Sequence, residues 1–123
     1  MITGVGVDSV QISRMEKWIK NPALMERYFD KREIELIKDR GKLMLNSLAA
    51  HFAAKEAFLK ALGTGFAGIT VKDIMILSRM GEKPQIHLEN SALAAMKAAG
   101  ASKAHVSLSH DGGIAMALVV LES

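Results

Sequence analysis

The stretch LMLNSLAAHFAAKEAFLKAL, residues 43–62, decides the fold. It is rich in alanine and contains neither glycine nor proline, the two residues that most oppose a helix interior. Leu48, Phe52 and Leu59 fall on related faces, and Gly63 follows as a C-terminal stop, so the pattern predicts one long helix from Leu43 to Leu62. Upstream, Ser13-Arg14-Met15-Glu16 and Asp30-Lys31-Arg32-Glu33 both have the spacing of a capping box. The first predicts a short helix ended by Asn21-Pro22, because the residue before proline is pushed out of the helical region. Residues 22–28 are expected to add a further helical turn. The second box launches an amphipathic segment that buries Ile34 and Ile37 and stops at Gly41.

Strand signals flank these helices. In Ile2 to Asp8, Thr3, Val5 and Val7 share one side, opposite Gly4, Gly6 and Asp8. The glycine side would admit another backbone or a ligand at close range. Residues 69–77 and 85–88 read as strands joined through a turn at Gly81-Glu82-Lys83-Pro84. Asn90 is expected to cap a helix running to Gly100. Residues 104–109 and 114–121 read as a hairpin about Asp111-Gly112-Gly113. Helices grouped with late antiparallel strands give an α+β class, helices packed on a small antiparallel sheet, in a single domain spanning 1–123.

Composition narrows the function. A chain of 123 residues with no cysteine excludes disulfide scaffolds, zinc ribbons and cysteine nucleophiles. Sixteen Lys and Arg against thirteen Asp and Glu leave a net charge of +3, which suits an acidic partner without choosing one. Aromatic residues are thin for a single-strand nucleic-acid platform, which lowers that reading. No apolar run approaches the ~20 residues of a membrane span, and the opening Met1-Ile2-Thr3-Gly4 lacks signal-peptide features. A cytoplasmic protein with no nucleic-acid or membrane partner is expected.

Glu56 and Lys60 stand one helical turn apart on a stripe continued by Phe52. They read either as a surface ion pair or as a site where a carboxylate holds a hard metal and a lysine meets an anionic oxygen. Asp8, ending the glycine-bearing strand, caps the chain or joins Glu56. Two such carboxylates are too few to cage a cation, leaving positions for water and substrate phosphate, which suits Mg²⁺. Calcium-loop and zinc-ligand spacings are absent. Gly63-Thr64-Gly65 follows a helix and lacks the P-loop order, so it is a C-cap and turn unless other residues recruit it. Gly81-Glu82-Lys83-Pro84 reads as an ordinary turn, or as one from which Lys83 beside the rigid proline presents a cation to a ligand. The run His105 to Asp111 tempts a Ser/His/Asp reading, but strand neighbours point apart and no nucleophile elbow is present. Its hydroxyls instead suit a phosphate or ribose, or simply a solvated face.

GVDSV at 6–10, FAAKEAFLKALGTG at 52–65, GEKP at 81–84 and SLSHD at 107–111 occur in the order and approximate spacing of the holo-acyl carrier protein synthases, which this sequence resembles. The resemblance spans nearly the whole chain. It implies the 4′-phosphopantetheinyl transferase fold and transfer of 4′-phosphopantetheine from coenzyme A to a serine of apo-acyl carrier protein, releasing adenosine 3′,5′-bisphosphate in support of fatty acid biosynthesis. By the same resemblance Asp8 and Glu56 are magnesium ligands, and Glu56 and Lys60 are catalytic. Lys60, Gly63, Gly65, Lys83, Pro84, Ser109 and His110 bind coenzyme A, while Arg14 and Lys17, widened by Lys20 and Arg27, meet the carrier protein. A homotrimer with shared active sites is likewise implied. The position before FAAKEA is commonly Arg in the family and is His51 here, where a phosphate contact would be weaker and pH-dependent. The competing class is a noncatalytic module that binds an acidic protein or nucleic acid through the basic first helix.

Overall fold

The computed structural model describes residues 1–63, 68–79 and 81–123. Along them run β1 (Ile2–Gln11), α1 (Glu16–Ile19), α2 (Pro22–Tyr28), α3 (Lys31–Lys38), α4 (Met44–Leu62), β2 (Ile74–Leu77), β3 (Gln85–Leu88), α5 (Asn90–Ala98), β4 (Lys103–Asp111) and β5 (Ile114–Glu122). Strand β5 lies between β1 and β4 in an antiparallel sheet, and β2 pairs with β3 in a separate hairpin. The α+β class and the long helix are as the sequence predicts.

Helix α4 packs across β1 and β5. Leu48, Ala49, Ala53, Ala54, Ala57 and Phe58 are fully buried along it, and Ala115, Ala117, Val119 and Leu121 bury the facing side of β5. Alternation along β1 brings Gly4, Gly6, Asp8 and Val10 to the same inner face. What approaches the glycines is the α4 main chain: a Cβ at Gly6 would run into the Ala57 carbonyl and lie 2.6 Å from the Ala61 nitrogen. No side-chain rotation relieves a clash with backbone, so glycine is required here by proximity. The opposite face of the sheet is apolar yet exposed, with Val5, Val7, Ile114, Met116 and Leu118 all open to solvent. In register, Val7 faces Leu118 and Gln11 faces Ile114, so these side chains form one strip.

Several local expectations are corrected. The Ser13 capping box does not form: residues 12–15 wind into a 3-10 turn with no side-chain cap, and α1 begins only at Glu16. A turn of three residues eclipses positions i and i+3, and it is Ile12 and Met15 that become buried. The Asp30 box does form, with Asp30 accepting from the Arg32 amide and Glu33 reaching back to the Asp30 amide. Helix α3 ends at Lys38, short of Gly41, which opens the next 3-10 turn with φ 57°. The strand expected from residue 69 starts at Ile74, after another 3-10 turn at Val71–Asp73. Asn90 does not cap α5. It is the first helical residue, at φ 42°, and the Asp73 carboxylate accepts from the Ser91 amide at 3.2 Å instead. The late hairpin closes through Gly112 and Gly113 at φ 58° and 80°, the two positive values a tight two-residue hairpin turn requires.

Candidate active site

The close fit of α4 on β1 places Asp8 against the last turns of the helix. Lys60 donates to Asp8 Oδ1 at 2.8 Å and to the Val7 carbonyl at 3.3 Å. The expected partner one turn away on the helix, Glu56, is held elsewhere: its Oε1 accepts from the Tyr28 hydroxyl at 2.6 Å. The Asp8 hydrogen bond, then the charges of Asp8 and Glu56, raise the pKa of Lys60 and keep it cationic. Burial first, then the Glu56 hydrogen bond and the charges of Glu56 and Asp8, hold the Tyr28 phenol well above its ordinary range. Both carboxylates therefore act on both neighbours. Asp8, Glu56 and Lys60, separated by up to 52 positions, are one cluster with Tyr28.

The remaining residues divide. Gly63 is the left-handed C-cap of α4 at φ 78°. Gly65 lies outside the described residues. Pro84, Ser109 and His110 line one hollow of about 240 Å³ together with Arg40, Asn46 and His51. Lys83 does not join it and borders the grooves on either side of the β2–β3 hairpin. His51 reaches the hollow from within the core, buried, with Nδ1 3.1 Å from Glu33 Oε2. Arg14, Lys17, Lys20 and Arg27 are all exposed along the first 3-10 turn, α1 and α2.

The core also holds a charged network that spacing alone does not reveal. Glu33, fully buried, accepts from the Asp30 and Ile76 amides, both at 3.2 Å, and from Lys55 Nζ at 2.6 Å, besides its contact with His51. Lys55, also fully buried, donates to the Val71 and Ile74 carbonyls and lies 5.1 Å over the ring of Phe29. Burial pulls the Lys55 pKa down and Glu33 opposes it. The available signal is a lysine inside the Ala- and Phe-rich run Phe52 to Phe58, next to Glu56. Spacing does not single out Tyr28 either; the fold gathers it with Trp18, Phe29 and Phe52 into one ring cluster.

The model of the 4′-phosphopantetheinyl transferase superfamily matches residues 4–119. This chain belongs to that superfamily. Among its relatives, the holo-[acyl-carrier-protein] synthase of Treponema denticola is 45% identical over 122 residues, covering 99% of each chain. That of Trichlorobacter lovleyi is 46% identical, covering 100% of this chain and 99% of its own. Among solved structures, the holo-[acyl-carrier-protein] synthase of Neisseria meningitidis superposes with a TM-score of 0.87 at 32% identity, each chain covered in full. The Helicobacter pylori synthase, solved in complex with coenzyme A, gives 0.78 at 34% identity, covering 96% of this chain and 99% of that one. The superfamily fold is thus the α+β arrangement described above, and no described helix is long and apolar enough to cross a membrane.

Proposed function

We propose that this chain is a magnesium-dependent holo-acyl carrier protein synthase, moving 4′-phosphopantetheine from coenzyme A to a serine of an apo-acyl carrier protein. The observation that carries the reading is the convergence of Asp8, Glu56 and Lys60 where α4 meets β1. The donor set fits a hard cation: two carboxylates from different elements, and among the described residues no third His, Cys, Asp or Glu to close a cage. Asp8 and Glu56 would hold the ion, leaving its other positions to substrate oxygens and water. Bound Mg²⁺ supplies charge neutralisation at the pyrophosphate.

The chain's own residues do the rest. Lys60, mostly exposed and flexible, can turn from Asp8 toward the phosphate being transferred, where its charge opposes the negative charge that builds up. The serine oxygen forms a bond to the pyrophosphate phosphorus on the pantetheine side. The bond to the bridging oxygen breaks, and adenosine 3′,5′-bisphosphate leaves. Glu56, or a water beside it, is the proposed acceptor of the serine proton. Gly63, Pro84, Ser109 and His110, with Lys83 beside them, form the proposed nucleotide side of the site. Gly65 is proposed there from the motif alone. Arg14, Lys17, Lys20 and Arg27 form the proposed docking face for an acidic carrier protein.

The proposal includes the homotrimer with shared sites that the family resemblance implies, and the exposed apolar strip on the outer sheet face gives copies a surface on which to associate. Light scattering is expected to give three times the chain mass, and a monomer at micromolar concentration would refute the assembly. The reaction is proposed to serve fatty acid biosynthesis in the cytoplasm. Intact-mass measurement of apo-acyl carrier protein incubated with this protein, coenzyme A and Mg²⁺ tests the function. A gain of one phosphopantetheine is expected, abolished by EDTA and by replacing the carrier serine with alanine. The rate should fall steeply with added salt if the basic face docks the carrier. No gain from a folded preparation with several carriers would favour a module that only binds.

A further inference from the structure

Tyr28 sits at the end of α2, and its ring is fixed on several sides. It stacks on Phe52 with centroids 5.3 Å apart and planes at 17°. It meets Trp18 edge-on at 5.1 Å and tilts against Phe29 at 5.3 Å. Phe52 lies one turn before Glu56 on α4, so the ring that supports Tyr28 and the carboxylate that receives its hydroxyl belong to the same helix face. The hydroxyl therefore has its place before any ligand arrives.

Glu56 has no comparable support elsewhere. Lys60, the cation one turn along, is engaged by Asp8, and among the described residues no donor reaches Glu56 Oε2. A glutamate side chain turns about several bonds, and among the described residues the 2.6 Å bond from Tyr28 is the one hydrogen bond that fixes this carboxylate. We propose that Tyr28 is a positioning residue that holds the Glu56 carboxylate in one orientation, with Oε1 engaged and Oε2 left to a divalent cation. The proposal rests on the reading of Glu56 as a cation ligand.

Groups that orient a ligating carboxylate contribute to metal affinity through the ligand they hold. Tyr28→Phe keeps the ring, the stack and the helix contact and removes one oxygen atom. The probe is Mn²⁺, titrated into the full-length protein with coenzyme A present and read as free Mn²⁺ by electron paramagnetic resonance. Tyr28→Phe is expected to weaken Mn²⁺ binding about tenfold. Activity at limiting Mg²⁺ should fall and return at saturating Mg²⁺, with the KM for the carrier protein unchanged. Emission of Trp18, the chain's only tryptophan, should match the parent protein and show the cluster intact. A role confined to packing would leave Mn²⁺ affinity unmoved, and that result overturns the proposal. Glu56→Gln separates the two readings. If it loses Mn²⁺ while Tyr28→Phe binds as tightly as the parent, Glu56 remains a ligand and the role of Tyr28 fails. If Glu56→Gln itself binds Mn²⁺ normally, the ligand reading fails and the positioning role with it.

Discussion

Glu33→Ala is expected to lose about 3–5 kcal/mol of folding free energy, the cost of leaving a buried charge without its partner. The substitution removes the acceptor of four hydrogen bonds at once: two main-chain amides, His51 and Lys55. What remains is an ammonium group inside the core, with two carbonyls and the face of Phe29 for company. Carbonyl oxygens solvate a cation, but they do not cancel its charge. The expected remedy is to remove both charges together. Glu33→Leu combined with Lys55→Met should recover only the share of the loss due to the stranded ammonium, since the Asp30 and Ile76 amides and His51 still lose their acceptor. Urea unfolding of the two variants measures both effects. A loss under about 1 kcal/mol for Glu33→Ala would put it among ordinary substitutions and deny the network any structural weight.

Glu56→Ala and Asp8→Ala are expected to lower turnover about a thousandfold each, the scale on which removing a charge-stabilising element acts. Folding should persist. Alanine is the best helix former at position 56, and alanine at position 8 suits the partly buried inner face of β1, leaving without its partner only Lys60, which is exposed. The double variant should be little worse than either single one, because groups that act as one unit do not add. Intact-mass time courses on the carrier protein, together with melting curves, separate the chemistry from the fold. Turnover that still requires metal in both variants would remove the proposed site, and the binding-module alternative predicts that neither change matters much.

Which parts of this could be read from the residues follows from how local their causes are. The Leu43–Leu62 helix is visible because alanine content, the absence of breakers and Gly63 all act within a few positions of one another. The same holds for the Asp30 box and for the glycine pair of the late hairpin. Ser13 failed as a cap because burial of Ile12 and Met15 determined the turn, and burial is settled by distant packing. Asn90 was displaced by a carboxylate 17 positions earlier, Asp73, acting on the residue after it. Helical spacing rightly made Glu56 and Lys60 neighbours, yet each bonds across the fold, to Tyr28 and Asp8, 28 and 52 positions away. Neighbourhood on a helix names candidates, and tertiary packing chooses among them. Glu33 was legible only as a cap, because its second task needs β2 and α4 beside it.

The meeting of β1 and α4 through bare glycine also bears on how this sequence can drift. Where two elements rest on side chains, each exchange of a larger for a smaller residue lets them slide, and a site built across them moves with every neutral change in the core. Here the strand's main chain rests on the helix's main chain at Gly4 and Gly6. The interval between Asp8 and the Glu56–Lys60 turn is set by atoms common to every amino acid. Exchanges of leucine or alanine elsewhere in the interior cost packing energy but leave this contact in place, while a side chain at either glycine would displace it and the carboxylates with it.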